Sequence, residues 1–394
     1  MNKQENKLLP ELRFPEFRND DQWDTDLLGN IAGNVSTGKL DANAMVEDGR
    51  YRFYTCAKNY YLINEFAFDT EAILIAGNGA YLGYIHHYNG KFNAYQRTYV
   101  LSDFTENILF IKYFLERYLP SRIDREKKDG NTPYIVLGTL TDMVTYFPPK
   151  KNEQQKIASC LSSLDDVIAA HTDKLENLKQ YKKGLLQNVF PQEGETVPKL
   201  RFKEFENDGE WEYLNGDLMF NTVTNKNHNS DLPILAVTQE QGAVPRDLIN
   251  YNVVVTEKSL ESYKVVEVGD FIISLRSFQG GIEYSGYRGI CSPAYIILRK
   301  IESHTVNEFY KYYFKTDLYI RNLNKNLEGL RDGKMVSYSQ FSEIMLPNPN
   351  PKEQQKIASL LSSVDDLIQA ETDKITQLKA HKKGLLQGLF PKID

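Results

Sequence analysis

The chain has 394 residues, 47 basic and 53 acidic, a net charge of -6, 41% hydrophobic and 12% aromatic residues. That is enough apolar material for two cores, and too much for a disordered or collagen-like chain. No run of 18 or more apolar residues occurs and the first residues carry neither an apolar export segment nor a cleavage site, so a cytoplasmic location is expected. Cys56, Cys160 and Cys291 lie far apart with no CxxC pair, which argues against a disulfide framework or thiolate zinc site and predicts buried, reduced thiols.

An internal repeat sets the organisation. PELRFPEFRNDDQW at 10–23 returns as PKLRFKEFENDGEW at 198–211, with 9 of 14 positions identical and an offset of 188. NEQQKIASCLSSLDDVIAAHTDKLENLKQYKKGLLQNVFP at 152–191 returns at 352–391 with 27 of 40 identical and an offset of 200. The stretches between, roughly 30–150 and 218–350, share no comparable identity. Conserved ends thus enclose divergent middles.

In the first middle, EAILIAG at 71–77, TYVLSDF at 98–104 and YIVLGTL at 134–140 read as strands, and ENILFIKYFLERYLPSRI at 106–123 as an amphipathic helix. The second offers strands at 232–238, 250–256, 269–276 and 294–300 and one helix over 306–325. Each middle is expected to be a mixed sheet with a helix.

Each repeated 40-mer is rich in Leu, Lys, Gln, Glu and Ala, has no internal Pro, and predicts one long helix. Ile157, Leu161, Leu164, Ile168, Leu175, Leu178 and Leu185 form a coiled-coil seam, interrupted by His171 and Lys182. The second seam is Ile357, Leu361, Val364, Ile368, Ile375, Leu378 and Leu385, interrupted by Glu371 and Lys382. Thirty-six helical residues span roughly 54 Å, so two such helices make a spacer. A pseudo-twofold relation between the halves favours antiparallel pairing, with His171 expected to meet Glu371 at the midpoint. Gly184 and Gly384 are expected to weaken or fray the last turns.

The chemical motifs are sparse. GNVSTGK at 33–39 imitates a phosphate-binding loop, but Leu40 stands where a magnesium-binding hydroxyl is required. AGNGAYLGY at 76–84 imitates a dinucleotide loop and reads better as a β-hairpin. Asp165 with Asp166, and Asp365 with Asp366, are adjacent on a helix and diverge by about 100°, which suits a solvated face or partner contact rather than catalysis. His86 and His87 sit on a predicted strand with no third ligand nearby. No GxSxG, HExxH, base-methylation tetrapeptide or Cys/His cluster occurs.

Binding signals are stronger. Arg117, Arg122, Arg125, Lys127 and Lys128 lead into Gly130, Asn131 and Thr132, while Lys311, Lys315, Arg321 and Lys325 lead into Gly329, Leu330, Arg331 and Lys334. Basic loops after equivalent helices suit phosphate contacts, with Asn, Gln and Arg nearby reading base edges. Candidates for reading are Tyr54, Asn78, Tyr81 and Arg97, and in the second middle Arg276, Ser277, Gln279, Tyr284 and Arg331. The net negative charge suggests that more basic subunits share the phosphate contacts.

The PxLRFxEF…W opening, the Thr37–Gly38–Lys39 turn and the duplicated EQQKIAS…LSSxDDxI…KKGLLQxxFP helix resemble a specificity subunit of a type I restriction-modification system, over nearly the whole chain. That resemblance implies an α+β fold: two mixed α/β target-recognition domains separated by two long antiparallel coiled-coil helices, with a pseudo-twofold internal repeat. The divisions are 1–150 for the first domain, 151–191 for the first spacer helix, 192–350 for the second domain and 351–394 for the second helix. It implies a non-catalytic reader of an asymmetric bipartite site on double-stranded DNA, with Thr37, Gly38 and Lys39 added to the DNA-contacting candidates. Two modification subunits would bring S-adenosylmethionine, and motor-nuclease restriction subunits would use ATP and Mg²⁺. A P-loop NTPase, a self-contained methyltransferase and a coiled-coil scaffold are the competing readings.

Overall fold

The repeated segments form the same elements twice, and the divergent middles do not. The computed structural model describes residues 8–128, 132–228, 231–249, 260–301, 305–325 and 336–393. It divides into two compact units, Met1–Asp173 with Asp373–Asp394, and Lys174–Thr372. These cut across the linear divisions read from sequence. Each unit owns the start of one long helix and the end of the other, the helices being Lys151–Val189 and Pro351–Gly388. No helix among the described residues is long and apolar enough to cross a membrane.

The first unit holds β1 (Asp24–Leu27), β2 (Ala32–Thr37), β3 (Tyr51–Tyr54), β4 (Tyr61–Ile63), β5 (Phe68–Ala76), β6 (Ile85–Ala94), β7 (Thr98–Phe104) and β8 (Val144–Phe147). Six of them form a mixed sheet in the order β2-β7-β5-β6-β3-β4, with β3 parallel to β6. Alternation along β5 sends Ile73 and Ile75 to one face, where they join Leu101 and the Ile108–Glu126 helix through Phe110, Ile111 and Phe114. The other face carries Ala72 and Leu74 against Tyr54, Phe92 and Val100. Asn107 starts the helix by accepting from Phe110 N at 2.9 Å. The stretch 134–140, predicted as a strand, is instead an isolated bridge at Tyr134 followed by a short Leu137–Thr141 helix. Its β-branched run is apolar because Ile135 and Leu140 enter the core, not because it joins the sheet.

In the second unit, β9 (Glu212–Asn215) is followed by β10 (Phe220–Val223), β11 (Leu235–Thr238), β12 (Gly242–Pro245), β13 (Lys264–Val266), β14 (Phe271–Ile273), β15 (Glu283–Tyr284), β16 (Gly289–Cys291), β17 (Ile296–Lys300) and β18 (Met345–Asn348). The largest sheet has four strands, β10-β17-β14-β15, and two-stranded ribbons pair β11 with β12, β13 with β16 and β18 with β9. All these ladder pairings are antiparallel, and the parallel element of the expected mixed sheet is confined to isolated bridges, Ile234 with Ile290 and Ala243 with Ser285. The predicted strand at 250–256 lies outside the described residues. The helix expected over 306–325 is two, Asn307–Tyr313 and Asp317–Lys325. Between them the Thr316 hydroxyl donates to Tyr313 O at 2.8 Å and accepts from Tyr319 N at 3.3 Å, closing one helix and opening the next.

The repeated residues make repeated contacts. Arg13 forks onto Glu153 at 2.7 and 2.8 Å, and Arg201 onto Glu353 at 2.8 and 2.9 Å. Gln154 accepts from Asn107 N and donates to Pro148 O, just as Gln354 accepts from Val306 N and donates to Pro349 O. Tyr113 OH donates to Asp165 at 2.8 Å and Tyr312 OH to Asp365 at 2.9 Å, and the same carboxylates take Lys382 and Lys182. Burial raises Asp165, but the Lys382 hydrogen bond and the charges of Lys112 and Lys382 outweigh it and hold the carboxyl below its usual range. Asp165 and Asp365, expected on a solvated face or in a partner contact, are half-buried and anchor tyrosine and lysine of their own unit. The tryptophans match too: Trp23 meets Phe390 at 5.9 Å and Trp211 meets Phe190 at 6.5 Å.

Within the second unit, Lys174 reaches Glu371 and Lys182 reaches Asp365, so numbers rise on one helix as they fall on the other. Its core joins Leu185 and Val189 to Ile357, Leu361 and Val364. In the first unit the core joins Ile157 and Leu161 to Leu385 and Leu389. Seam positions at the helix starts are buried, whereas Leu164, Ile168, Leu175, Leu178, Ile368 and Leu378 are half-buried. Glu371, expected opposite His171, is buried and pairs with Lys174 at 3.2 Å. Each helix continues past its glycine, one from Gly184 to Val189 and the other from Gly384 to Gly388. Cys291 is buried, while Cys56 and Cys160 are only partly so, which corrects the expectation for those two thiols.

Candidate nucleic-acid interface

In the first unit, backbone stitching gathers residues far apart in sequence. The β5–β6 connection is the expected hairpin turn, with Gly79 and Gly83 in the left-handed region. Gly79 N donates to Pro133 O at 3.1 Å, Ile135 N to Gly77 O at 3.0 Å and Lys128 N to Tyr134 O at 2.9 Å. Tyr134 therefore bridges Asn78 on one side and Lys128 on the other, and the residue is 41% exposed. Beside it, Ser36, Thr37, Gln96, Arg97 and Tyr134 line a cleft of about 380 Å³. Arg97 and Gln96 are exposed. An exposed ring, a guanidinium, an amide and a hydroxyl at one mouth supply stacking and hydrogen bonding for a base and charge for a phosphate.

The remaining candidates scatter. Tyr81 is exposed with Lys58 over its ring at 5.2 Å, and Lys39, Arg125, Lys127 and Thr132 are exposed. Asn131 and Gly130 lie outside the described residues. Tyr54, expected to read a base, is 2% exposed, with its ring against Phe92, Tyr88 and His86, so it is a core residue. Gly38 is buried, and a Cβ there would lie 1.8 Å from Ala94 O, so the Thr37–Gly38–Lys39 turn needs glycine for close packing on β6. Arg122 is turned inward to Asp142 O and Glu126. His86 and His87 divide as expected: His86 Nε2 lies 2.9 Å from Ala57 O, and His87 Nε2 2.8 Å from Glu71. Among the described residues no group of three His, Cys, Asp or Glu could hold a metal ion.

In the second unit a cleft of about 660 Å³ opens between the β11–β12 turn and the segment after β14. The first wall is Thr238–Gln241, where the Thr238 hydroxyl accepts from Gln241 N and donates to Gly242 O, both at 3.1 Å. The second is Ser274–Arg276, where Ser277 Oγ accepts from Ser274 N at 2.8 Å and Ser274 Oγ from Arg276 N at 3.2 Å. This turn pushes Arg276 into solvent and buries Ser277, which therefore serves the loop rather than DNA. Gln279 is exposed. Tyr284 is half-buried, packed on Phe271 at 5.5 Å with Lys311 over its ring at 5.7 Å. Lys315, expected among the phosphate-facing cations, is paired internally with Glu283 at 2.5 Å. Burial pushes the Glu283 carboxyl up and the Lys315 ammonium down, and each charge partly restores the other. Arg331 and Lys334 lie outside the described residues, as do Gly329 and Leu330.

Sequence reasoning missed Tyr134, Gln96, Gln239, Gln241 and Glu283. The first hid inside a predicted strand; the glutamines could have been found as polar residues flanking strand ends. Glu283 had no signal beyond its place beside Tyr284.

The family model described as the type I restriction modification DNA specificity domain matches residues 21–180 and 182–380. The type I restriction enzyme EcoDI specificity subunit of Escherichia coli is 28% identical over 397 residues, spanning 94% of this chain and 87% of that protein. The type I restriction enzyme MjaVIII specificity subunit of Methanocaldococcus jannaschii is 23% identical, spanning 98% and 96%. Among solved structures, the S subunit of a type I restriction-modification system from M. genitalium superposes with a TM-score of 0.64 at 15% identity, covering 98% of this chain and all of that one. A chain from a study of complex assembly and conformational transition in the type I R-M system gives 0.52 at 15% identity, covering 94% and 97%. At such identity these structures establish the fold alone.

Proposed function

The chain belongs to the type I restriction-modification DNA specificity family, and from that premise we propose how it reads its target. It recognises DNA sequence through two target-recognition domains and is the non-catalytic specificity subunit. Our reading is that the target is bipartite and asymmetric: each domain's cleft reads one half, and the two long helices, as an antiparallel coiled-coil pair, set the gap. The observation that carries it is the duplication of anchors, Arg13–Glu153 with Tyr113–Asp165 in one unit and Arg201–Glu353 with Tyr312–Asp365 in the other. The same framework is built twice around clefts that share neither lining nor sheet topology, as a reader of two unlike half-sites requires.

In this reading the complex is cytoplasmic. Two modification subunits dock on the repeated framework and bring S-adenosylmethionine, and restriction subunits supply ATP- and Mg²⁺-dependent translocation and cleavage. Deleting one heptad from a long helix shortens it by about 10.5 Å, roughly three base pairs of duplex. Genome-wide methylation mapping of the assembled complex is expected to show a changed gap between unchanged half-sites; altered half-sites with the gap retained would overturn the ruler.

A further inference from the structure

Glu283 is 1% exposed yet forms part of the wall of the second unit's cleft. Its Oε1 accepts from Lys315 Nζ at 2.5 Å, while its Oε2 has no hydrogen-bond partner. Lys315 cannot serve both oxygens, because its other hydrogens go to Gly280 O at 2.9 Å and Gln239 O at 3.4 Å. One ammonium thus ties the Gln239 wall of the cleft and Gly280 to a carboxylate, and leaves one buried acceptor oxygen unsatisfied. A buried acceptor without a donor is costly, and it persists where an incoming donor completes it. Around the same cleft, Gln239, Gln241 and Arg276 offer the side-chain types that hydrogen-bond base edges.

We propose that Glu283 is a specificity-determining residue that accepts a hydrogen bond from the exocyclic amine of an adenine or cytosine in the half-site read by the second domain. This rests on the DNA-reading function proposed above and names the chemistry of one contact within it. In the major groove only adenine N6 and cytosine N4 present amine donors. Guanine O6 and thymine O4 would set acceptor against acceptor, so the same oxygen rejects the wrong bases. Lys315 acts as a positioning residue: it holds the carboxylate and fixes it to the backbone at Gln239 and Gly280.

Two measurements test this on the full chain assembled with its modification subunits. First, methylation mapping gives the wild-type target, and each adenine or cytosine of the second half-site is then replaced singly in synthetic duplex by an analogue lacking its amine. Wild-type affinity is expected to fall roughly 5- to 150-fold at one position. Unchanged affinity at every position overturns the proposal without using any variant. Second, Glu283→Gln is mapped for its motif. Relaxation at that one position, with the other half-site and the gap intact, supports the assignment; an active complex with an unaltered motif overturns it. A chain that yields no DNA motif at all instead fails the broader reading, which separates the two.

Discussion

The anchoring framework and the two clefts obey opposite rules. At the framework, residues related by the repeat make matching bonds: both arginine forks close between 2.7 and 2.9 Å, and both repeated aspartates accept from a tyrosine of the adjoining divergent stretch, at 2.8 and 2.9 Å. At the clefts nothing matches. The first is built around exposed Tyr134 at the end of a six-stranded mixed sheet, the second over buried Glu283 and its half-buried partner Lys315 beside a four-stranded antiparallel one. If the clefts read DNA as proposed, the contrast lets a chain change what it reads while keeping how it is held. On the proposed reading, contacts that position the domains are separate from the clefts that discriminate.

Breaking the framework should therefore have the largest effect, and the same effect on both sides. Glu153 and Glu353 are both 1% exposed at the side chain, each matched to a largely buried arginine. Removing one partner strands a buried guanidinium, which costs about 3–5 kcal/mol. Glu153→Ala and Glu353→Ala are each expected to lower the denaturant midpoint of unfolding by comparable amounts. A large loss in one and none in the other would show that the two anchors are alike in geometry but not in energy.

Changes in the clefts should instead be one-sided. Arg97→Ala removes an exposed cation from the first cleft without touching a core. Truncating such a contact costs about 1–3 kcal/mol of DNA affinity. In mobility-shift titrations on duplexes mutated in one half-site at a time, the variant is expected to lose discrimination in a single half. Loss in both halves would mean that Arg97 meets phosphate without reading sequence.

The same contrast explains what could be read from the chain alone. The framework was legible because identity at fixed offsets marks positions that must make the same contact twice, and because the Leu and Ile spacing of the long helices has only one regular reading. The hairpin around Gly79 and the strand at 98–104 were legible from alternation and glycine. The clefts were not, because tertiary stitching creates them. Tyr134 becomes a bridge between Asn78 and Lys128 only after Pro133 and Ile135 are bonded to the β5–β6 turn. Tyr54 looked like a reader because aromatic residues pack and stack with the same chemistry, and only burial separates the two. Lys315 stood in a basic run, and its carboxylate partner lies 32 residues earlier.

The smallest expected effect tests whether the first cleft's sheet is as insulated from solution conditions as the framework. His86 packs against Tyr54 and Tyr84 with ring centroids 5.0 and 4.8 Å away, and its Nε2, when protonated, donates to Ala57 O. Burial lowers its pKa from the ordinary 6.5, and the Ala57 carbonyl offsets this only in part. The folded chain then binds fewer protons than the unfolded chain between that lowered value and 6.5. Stability attributable to His86 is accordingly complete above 6.5 and is lost as pH falls below it. His86→Gln keeps a donor for Ala57 O but cannot titrate. The difference in Tm between wild type and variant should therefore change between neutral pH and about one unit below 6.5, with the wild type losing more. Equal losses in the two proteins would place the acid sensitivity elsewhere in the chain, and would leave His86 a packing residue whose protonation the fold does not sense.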